Sequence, residues 1–200
     1  PSTLVAGLEI NAATESLSRK LAEAQDVLFL GRGPMYPLAL EAALKLKEYD
    51  WAKAFIEEYR LKVHPKYRTD VYNYNIALLY FHLKNYKKAG QYLMTVELLD
   101  PYFYINYKML HIKTYYEEAD FEPLRSSLDA LRQYIRRDKV MSNYNIESCQ
   151  NFINLLNRLL RIRLGGNRPL DSLKKDIQTM PNIGERQWLL EKTEELINQK

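Results

Sequence analysis

The sequence predicts a mainly α protein: an array of helical hairpins preceded by a helix–strand–helix segment. Three observations predict it. An aromatic residue recurs at Tyr49, Tyr86 and Phe121, at spacings of 37 and 35 residues, within similar local text (Lys47-Glu48-Tyr49, Lys84-Asn85-Tyr86, Ala119-Asp120-Phe121). Seven Gly and eight Pro in 200 residues favour long regular elements over loops. One short continuous apolar run, Val27-Leu28-Phe29-Leu30, reads as a buried strand, and no other segment does.

Bulk properties bound the function. Apolar residues make up 46% of the chain, enough for a folded core. A net charge of +4 suggests only weakly an acidic partner. Cys149 is the only cysteine, so no internal disulfide can form, as expected in a reducing compartment. The opening residues lack the basic region and apolar core of a signal peptide, and no stretch approaches the roughly 20 apolar residues of a membrane helix. The expectation is a cytoplasmic protein that contacts no membrane. Sixteen Tyr supply large rings with polar tips, useful between helices and in binding grooves.

In chain order, Thr14 to Ala24 suits a helix, with Leu17, Leu21 and Ala24 at helical spacing. The strand Val27–Leu30 ends at the turn Gly31-Arg32-Gly33-Pro34. The third glycine of a dinucleotide fingerprint is missing there, and no phosphate loop is present, so no nucleotide cofactor is expected. A second helix starts at about Tyr36, with Leu38, Leu40, Ala43, Leu44 and Leu46 apolar, and runs to Glu48. The next begins near Trp51. In the middle repeat Ile76, Ala77 and Tyr80 belong to a first helix, Ala89, Leu93 and Val96 to a second, and Pro101 closes it. The third repeat keeps Ile112, Tyr115, Leu128 and Leu131 but puts Leu124 where the others carry a small residue. Asn143 to Leu164 reads as one long helix stopped by Gly165-Gly166-Asn167, followed by helices at about Leu170–Thr179 and Glu185–Asn198.

These hairpins resemble tetratricopeptide repeats, whose period is about 34 residues. The resemblance implies stacked helix pairs over residues 36–164, with residues 168–200 as capping helices. It also implies a concave face lined by first helices: Tyr74, Leu78 and His82 in the middle repeat, then Asn106, Met109, Lys113 and Tyr116 in the next. Such a face would take a peptide or protein, rings giving contact area and Lys113 meeting a carboxylate.

The turn Phe29-Leu30-Gly31-Arg32-Gly33 and the run Ala39-Leu40-Glu41 to Lys45-Leu46-Lys47-Glu48 carry a second resemblance. Residues 1–48 are similar to the start of the second sugar-isomerase (SIS) subdomain of glutamine–fructose-6-phosphate aminotransferase, an α/β fold. That similarity implies a proton-transferring role for Glu48, with Glu41 and Lys45 in a charged network around it. As read here, positions 41, 45 and 48 share one helical face. The serine- and threonine-rich loops that hold the sugar phosphate in that family have no counterpart in the chain. Without them nothing positions a substrate, and no enzymatic activity is expected. Leu44–Glu48 fits both patterns, so one helix ends the isomerase-like segment and opens the repeats. The reading is a chimera, an engineered fusion serving as a structural or interaction scaffold. The alternatives are a natural repeat adaptor that binds peptides and a remnant sugar-phosphate isomerase.

Other constellations are weaker. His64, His82 and His111 lack ligand spacing, so no metal is expected. Arg132, Arg136, Arg137 and Lys139, with Arg158, Arg161, Arg163 and Arg168, form the densest basic region. We read it as a solvated face balanced by Glu185, Glu191, Glu194 and Glu195, not as a nucleic-acid surface. A lone strand leaves backbone groups unpaired, so Val27–Leu30 could pair with its copy in a homodimer.

Overall fold

The computed structural model describes residues 35–97, 101–138, 141–166 and 169–199. The expected helix at Thr14–Ala24, the strand Val27–Leu30, the glycine turn and the homodimer contact all lie outside them. The described residues are mainly helical and contain no strand. The helices are α1 (Met35–Lys45), α2 (Tyr49–Arg60), α3 (Arg68–His82), α4 (Tyr86–Leu93), α5 (Pro101–Glu117), α6 (Phe121–Arg137), α7 (Asn143–Arg163), α8 (Leu170–Thr179) and α9 (Arg186–Asn198). The chain divides into two compact units, Pro1–Phe121 and Glu122–Lys200.

Within the first unit successive helices pack in sequence: α1 on α2, α2 on α3, α3 on α4 and α4 on α5, with α3 also meeting α5. One apolar cluster joins Ala39, Leu40, Ala43 and Leu44 of α1 to Ala52, Phe55 and Ile56 of α2 and to Ile76 and Leu79 of α3. The helix with the isomerase-like text therefore shares a core with the helices after it. Ala52, Ala77 and Ala89 are wholly buried, as close approach of helix axes requires. Tyr rings fill the seams: Tyr80 stacks on Tyr92 at 5.7 Å, and Tyr74 meets Phe103 edge-on at 6.4 Å, joining α3 to α5.

The repeated text has a repeated backbone. Lys47, Lys84 and Ala119 all have positive φ, at 64, 58 and 57°. At each, the same two bonds close the preceding helix. Glu48, Asn85 and Asp120 N–H donate to the carbonyls of Ala43, Tyr80 and Tyr115, and the positive-φ residue itself donates to Leu44, Phe81 or Tyr116. This is the Schellman arrangement, which reverses the chain at once into the next helix. It corrects two boundaries: α1 stops at Lys45 instead of reaching Glu48, and α2 starts at Tyr49. Two more corrections follow in the middle repeat. Val96 lies beyond the end of α4 yet is buried, where Asp70 accepts the Glu97 N–H and Asn73 donates to Thr95 Oγ1. Pro101 opens α5 instead of closing α4, at the first helical position where a missing N–H costs nothing.

Left-handed backbone costs a residue with a Cβ about 1–2 kcal/mol, against about 0.5–1 kcal/mol of extra chain entropy for Gly. Lys47→Gly, Lys84→Gly and Ala119→Gly should each therefore stabilise the protein by about 0.5–1 kcal/mol, read as a higher urea midpoint at unchanged slope. A lowered midpoint in any of the three would contradict the turn geometry.

The second unit begins with α6, whose Leu124, Leu128, Leu131 and Ile135 form one buried stripe. α7 is capped by Ser142, whose side chain accepts the Asn145 N–H, and it packs on α8 and α9. Its buried face includes Phe152, Leu156 and Leu159, with Phe152 6.4 Å from Trp188 of α9. α7 ends as expected at the glycine pair. Gly165 has φ 93°, and a Cβ on Gly166 would sit 2.6 Å from the Arg161 carbonyl oxygen. The Arg186 guanidinium donates to the carbonyls of Ile177, Gln178 and Met180, closing the end of α8.

Candidate functional site

The sequence singles out three constellations, a groove expected to bind, an isomerase-like set expected to be inactive and a basic face expected to be solvated, and the structure treats them differently. Glu41 and Lys45 are exposed on α1. Glu48 does not share their face, because the helix ends at Lys45 and the chain reverses at Lys47. Glu48 stands at the N-terminal cap of α2, exposed, with its carboxylate making no capping bond. Its backbone holds the turn: its N–H closes α1 on Ala43 and its carbonyl accepts the Ala52 N–H. Helical spacing alone hides this, because it continues across Lys47, whose left-handed backbone breaks the helix.

The seven groove residues separate by burial. Tyr74, Leu78 and His82 on α3 are half-buried, and Asn106 on α5 is exposed. Met109, Lys113 and Tyr116 are buried, at 7, 7 and 2% exposure, so they belong to the interior of this conformation and not to an open groove wall. The Lys113 ammonium sits 5.0 Å from the centroid of the Phe81 ring, which couples α5 to α3. The apolar stem of a lysine accounts for burial that charge alone would forbid. Tyr49, the aromatic that opens α2, donates its hydroxyl to the His82 carbonyl, bridging successive hairpins.

Two features, on α5 and between α2 and α3, were not visible in the sequence. His111 is 7% exposed, and among the described residues its Nε2 has no hydrogen-bond partner. It lies in a column of rings, 5.5 Å from Tyr107 and 4.4 Å from Tyr115, all one turn apart. Burial, reinforced by the nearby Lys108 charge, pulls its pKa down to about 4. Elsewhere Tyr72 donates to Glu57 at 2.8 Å and lies under the Arg60 guanidinium at 4.5 Å. Burial and the Glu57 carboxylate push that phenol up to about 12. Only the i, i+4 rule applied to aromatic and titratable positions could have flagged the His111 column.

No group of His, Cys, Asp and Glu among the described residues could hold a metal. His64 Nδ1 accepts the Lys66 N–H in a local cap. Cys149 is buried and its thiol is pushed up to about 11, unsuited to nucleophilic chemistry. Among the described residues no helix is long and apolar enough to cross a membrane.

The basic region is balanced differently from the expectation. Arg158 pairs with Asp176 of α8 at 2.7 Å, while two acids of α9 serve lysines, Glu194 taking Lys174 at 3.0 Å and Glu195 taking Lys192 at 2.7 Å, and Glu191 accepts from the Gln187 amide. Arg132 pairs with Asp129 at 2.8 Å. Beside it a cleft of about 180 Å³ opens between α6 and α7, lined by Arg132, Ile135, Arg136, Gln150, Ile153 and Asn154.

Comparison with known proteins gives a partial likeness. No family model matches the chain, and no solved structure does. The chain is 50% identical over 54 residues to glutamine–fructose-6-phosphate aminotransferase (isomerizing) of Zymomonas mobilis, which is 27% of this chain and 9% of that protein. The enzyme of the same name from Haemophilus ducreyi is 48% identical over 54 residues, and that of Rhizobium meliloti 56% identical over 45 residues. The chain thus spans less than a tenth of the length of these relatives. The matches support a sugar-isomerase fragment within the chain.

Proposed function

We propose that this chain is a helical-repeat scaffold for protein interaction, a chimera whose first 48 residues are a sugar-isomerase fragment without catalytic activity of its own. The observation that carries the repeat reading is the turn: the same left-handed residue and the same pair of closing bonds recur at Lys47, Lys84 and Ala119. A repeated backbone device at a repeated sequence position is what a tetratricopeptide-like array needs to stack its hairpins. Residues 36–164 form the array in this reading, and 168–200 its cap. The packing of α1 into the cluster with α2 and α3 supports one helix serving both parts. A peptide would engage the surface through Tyr74, Leu78, His82 and Asn106.

Selection from a displayed random-peptide library tests the scaffold. Binders should emerge, and Tyr74→Ala should weaken them about tenfold, the loss of one well-placed aromatic contact. A library that yields no binder, or binders indifferent to Tyr74 and Asn106, would count against the groove.

The 50% identity to the aminotransferase favours one other reading, a remnant that still binds a sugar phosphate. Titration with fructose 6-phosphate separates the two. The scaffold reading expects no change in melting temperature and no conversion of the sugar. A saturable rise in melting temperature that vanishes in Glu48→Gln would establish the remnant instead.

A further inference from the structure

The cleft between α6 and α7 is lined by hydrogen-bond donors, with no carboxylate among its lining residues. Its two walls repeat one pattern. On α6, Arg132, Ile135 and Arg136 stand at i, i+3 and i+4; on α7, Gln150, Ile153 and Asn154 do the same. That spacing puts all three of each set on one helical face. The two isoleucines are 3 and 1% exposed and make an apolar floor. Two guanidiniums and two carboxamides share the lining with them, and no acid is among the lining residues.

All but one of the donor groups are uncommitted, and Arg132 is only partly engaged. Arg132 donates through Nη1 to Asp129 at 2.8 Å, an exposed i, i+3 pair whose stabilisation is small and which occupies one of five N–H donors. Among the described residues Arg136, Gln150 and Asn154 make no side-chain hydrogen bond or ion pair. Two acids close by along the helices are engaged: Asp129 with Arg132, and Glu147 with the Asn182 amide at 2.9 Å. Guanidinium forks matched to planar or tetrahedral oxyanions form the strongest of the ordinary protein hydrogen bonds.

We propose that this cleft binds an acidic peptide segment, with a carboxylate or phosphate oxyanion held by Arg132, Arg136, Gln150 and Asn154. The apolar floor takes an aliphatic side chain next to the acid. The volume of about 180 Å³ exceeds what one inorganic ion fills and leaves room over the isoleucines for an aliphatic side chain beside the acid. This site is separate from the α3–α5 surface and stands or falls independently of it.

The test uses the full chain and three fluorescent probes: a Leu-Glu-Glu-Leu peptide, its Leu-phosphoSer-Glu-Leu counterpart and a Leu-Gln-Gln-Leu control, with inorganic phosphate as competitor. Anisotropy should show saturable binding of the two acidic peptides and not of the control. Arg136→Glu should weaken that binding about tenfold or more, while Arg161→Glu, exposed on α7 outside the cleft, should change it less than about twofold. Side-chain amide resonances of Gln150 and Asn154 should shift with the same saturation. The two peptides distinguish carboxylate from phosphate as the preferred anion. Equal losses in both variants, or unmoved amide resonances, would show diffuse basic charge and overturn the site. Inorganic phosphate binding as tightly as either peptide would overturn the peptide assignment, and so would an oligouridylate that outcompetes both.

Discussion

Leu124→Ala should lower stability by about 2–5 kcal/mol, the cost of emptying a fully buried leucine site. The substitution is informative because the repeat pattern points the other way. Position 124 follows Phe121 by three residues, as Ala52 follows Tyr49 and Ala89 follows Tyr86, so the first two copies carry alanine there. If the three hairpins packed alike, an alanine in place of Leu124 would be tolerated or preferred. In the structure each is fitted to its own neighbours: Ala52, Ala89 and Leu124 are all 0% exposed. The reciprocal change, Ala89→Leu, should cost about 1–3 kcal/mol or more by overpacking. Urea denaturation of both variants decides the matter, and a loss under about 1 kcal/mol for Leu124→Ala would show that the Leu124 site tolerates the small residue of the other copies.

Below pH 6.5 the protein should lose stability through His111. Its pKa is about 4 in the folded chain against 6.5 ordinarily. Between those values the unfolded chain binds a proton that the folded chain does not, so stability rises with pH across that window. The contribution is complete above about 6.5 and falls away as the pH drops toward 4. The full difference corresponds to about 3 kcal/mol at most. Tyr107 and Tyr115 flank the ring, neither offers Nε2 a bond, and Lys108 disfavours a second positive charge. His111→Leu should flatten the urea midpoint between pH 4.5 and 7 relative to the parent. At pH 7 it should be no less stable, because the orphaned nitrogen goes while the packed volume stays. A variant that keeps the parent's slope would assign the acid sensitivity to other groups.

Residue by residue, the helical text was legible where apolar spacing and punctuation agreed. Gly165-Gly166 stopped α7 where expected, and Leu170–Thr179 matches α8 to the residue. The recurring aromatics Tyr49, Tyr86 and Phe121 each fall on a helix start, although the sequence placed the first of these helices near Trp51. What misled was a signal carried by residues without special chemistry. Lys47, Lys84 and Ala119 adopt the conformation for which glycine is the usual marker, so nothing in their identity announced the turn. The error over Glu48 follows from that. Burial was equally hidden: Lys113 reads as a cation of an open groove, yet it is buried with its ammonium 5.0 Å from the Phe81 ring centroid.

The sequence by itself determined that the described residues are mainly helical, where several helices begin, and that part of the chain resembles a sugar isomerase. Local propensity, apolar period and matching text are properties of short segments, so one chain suffices to read them. Only the tertiary structure decided which polar residues are sealed in and which are left open. It buried Met109, Lys113 and Tyr116, orphaned His111 Nε2, and set Arg132 and Arg136 across a cleft from Gln150 and Asn154. Those outcomes depend on which helix faces meet, and a helix carries the same residues whichever neighbour covers them.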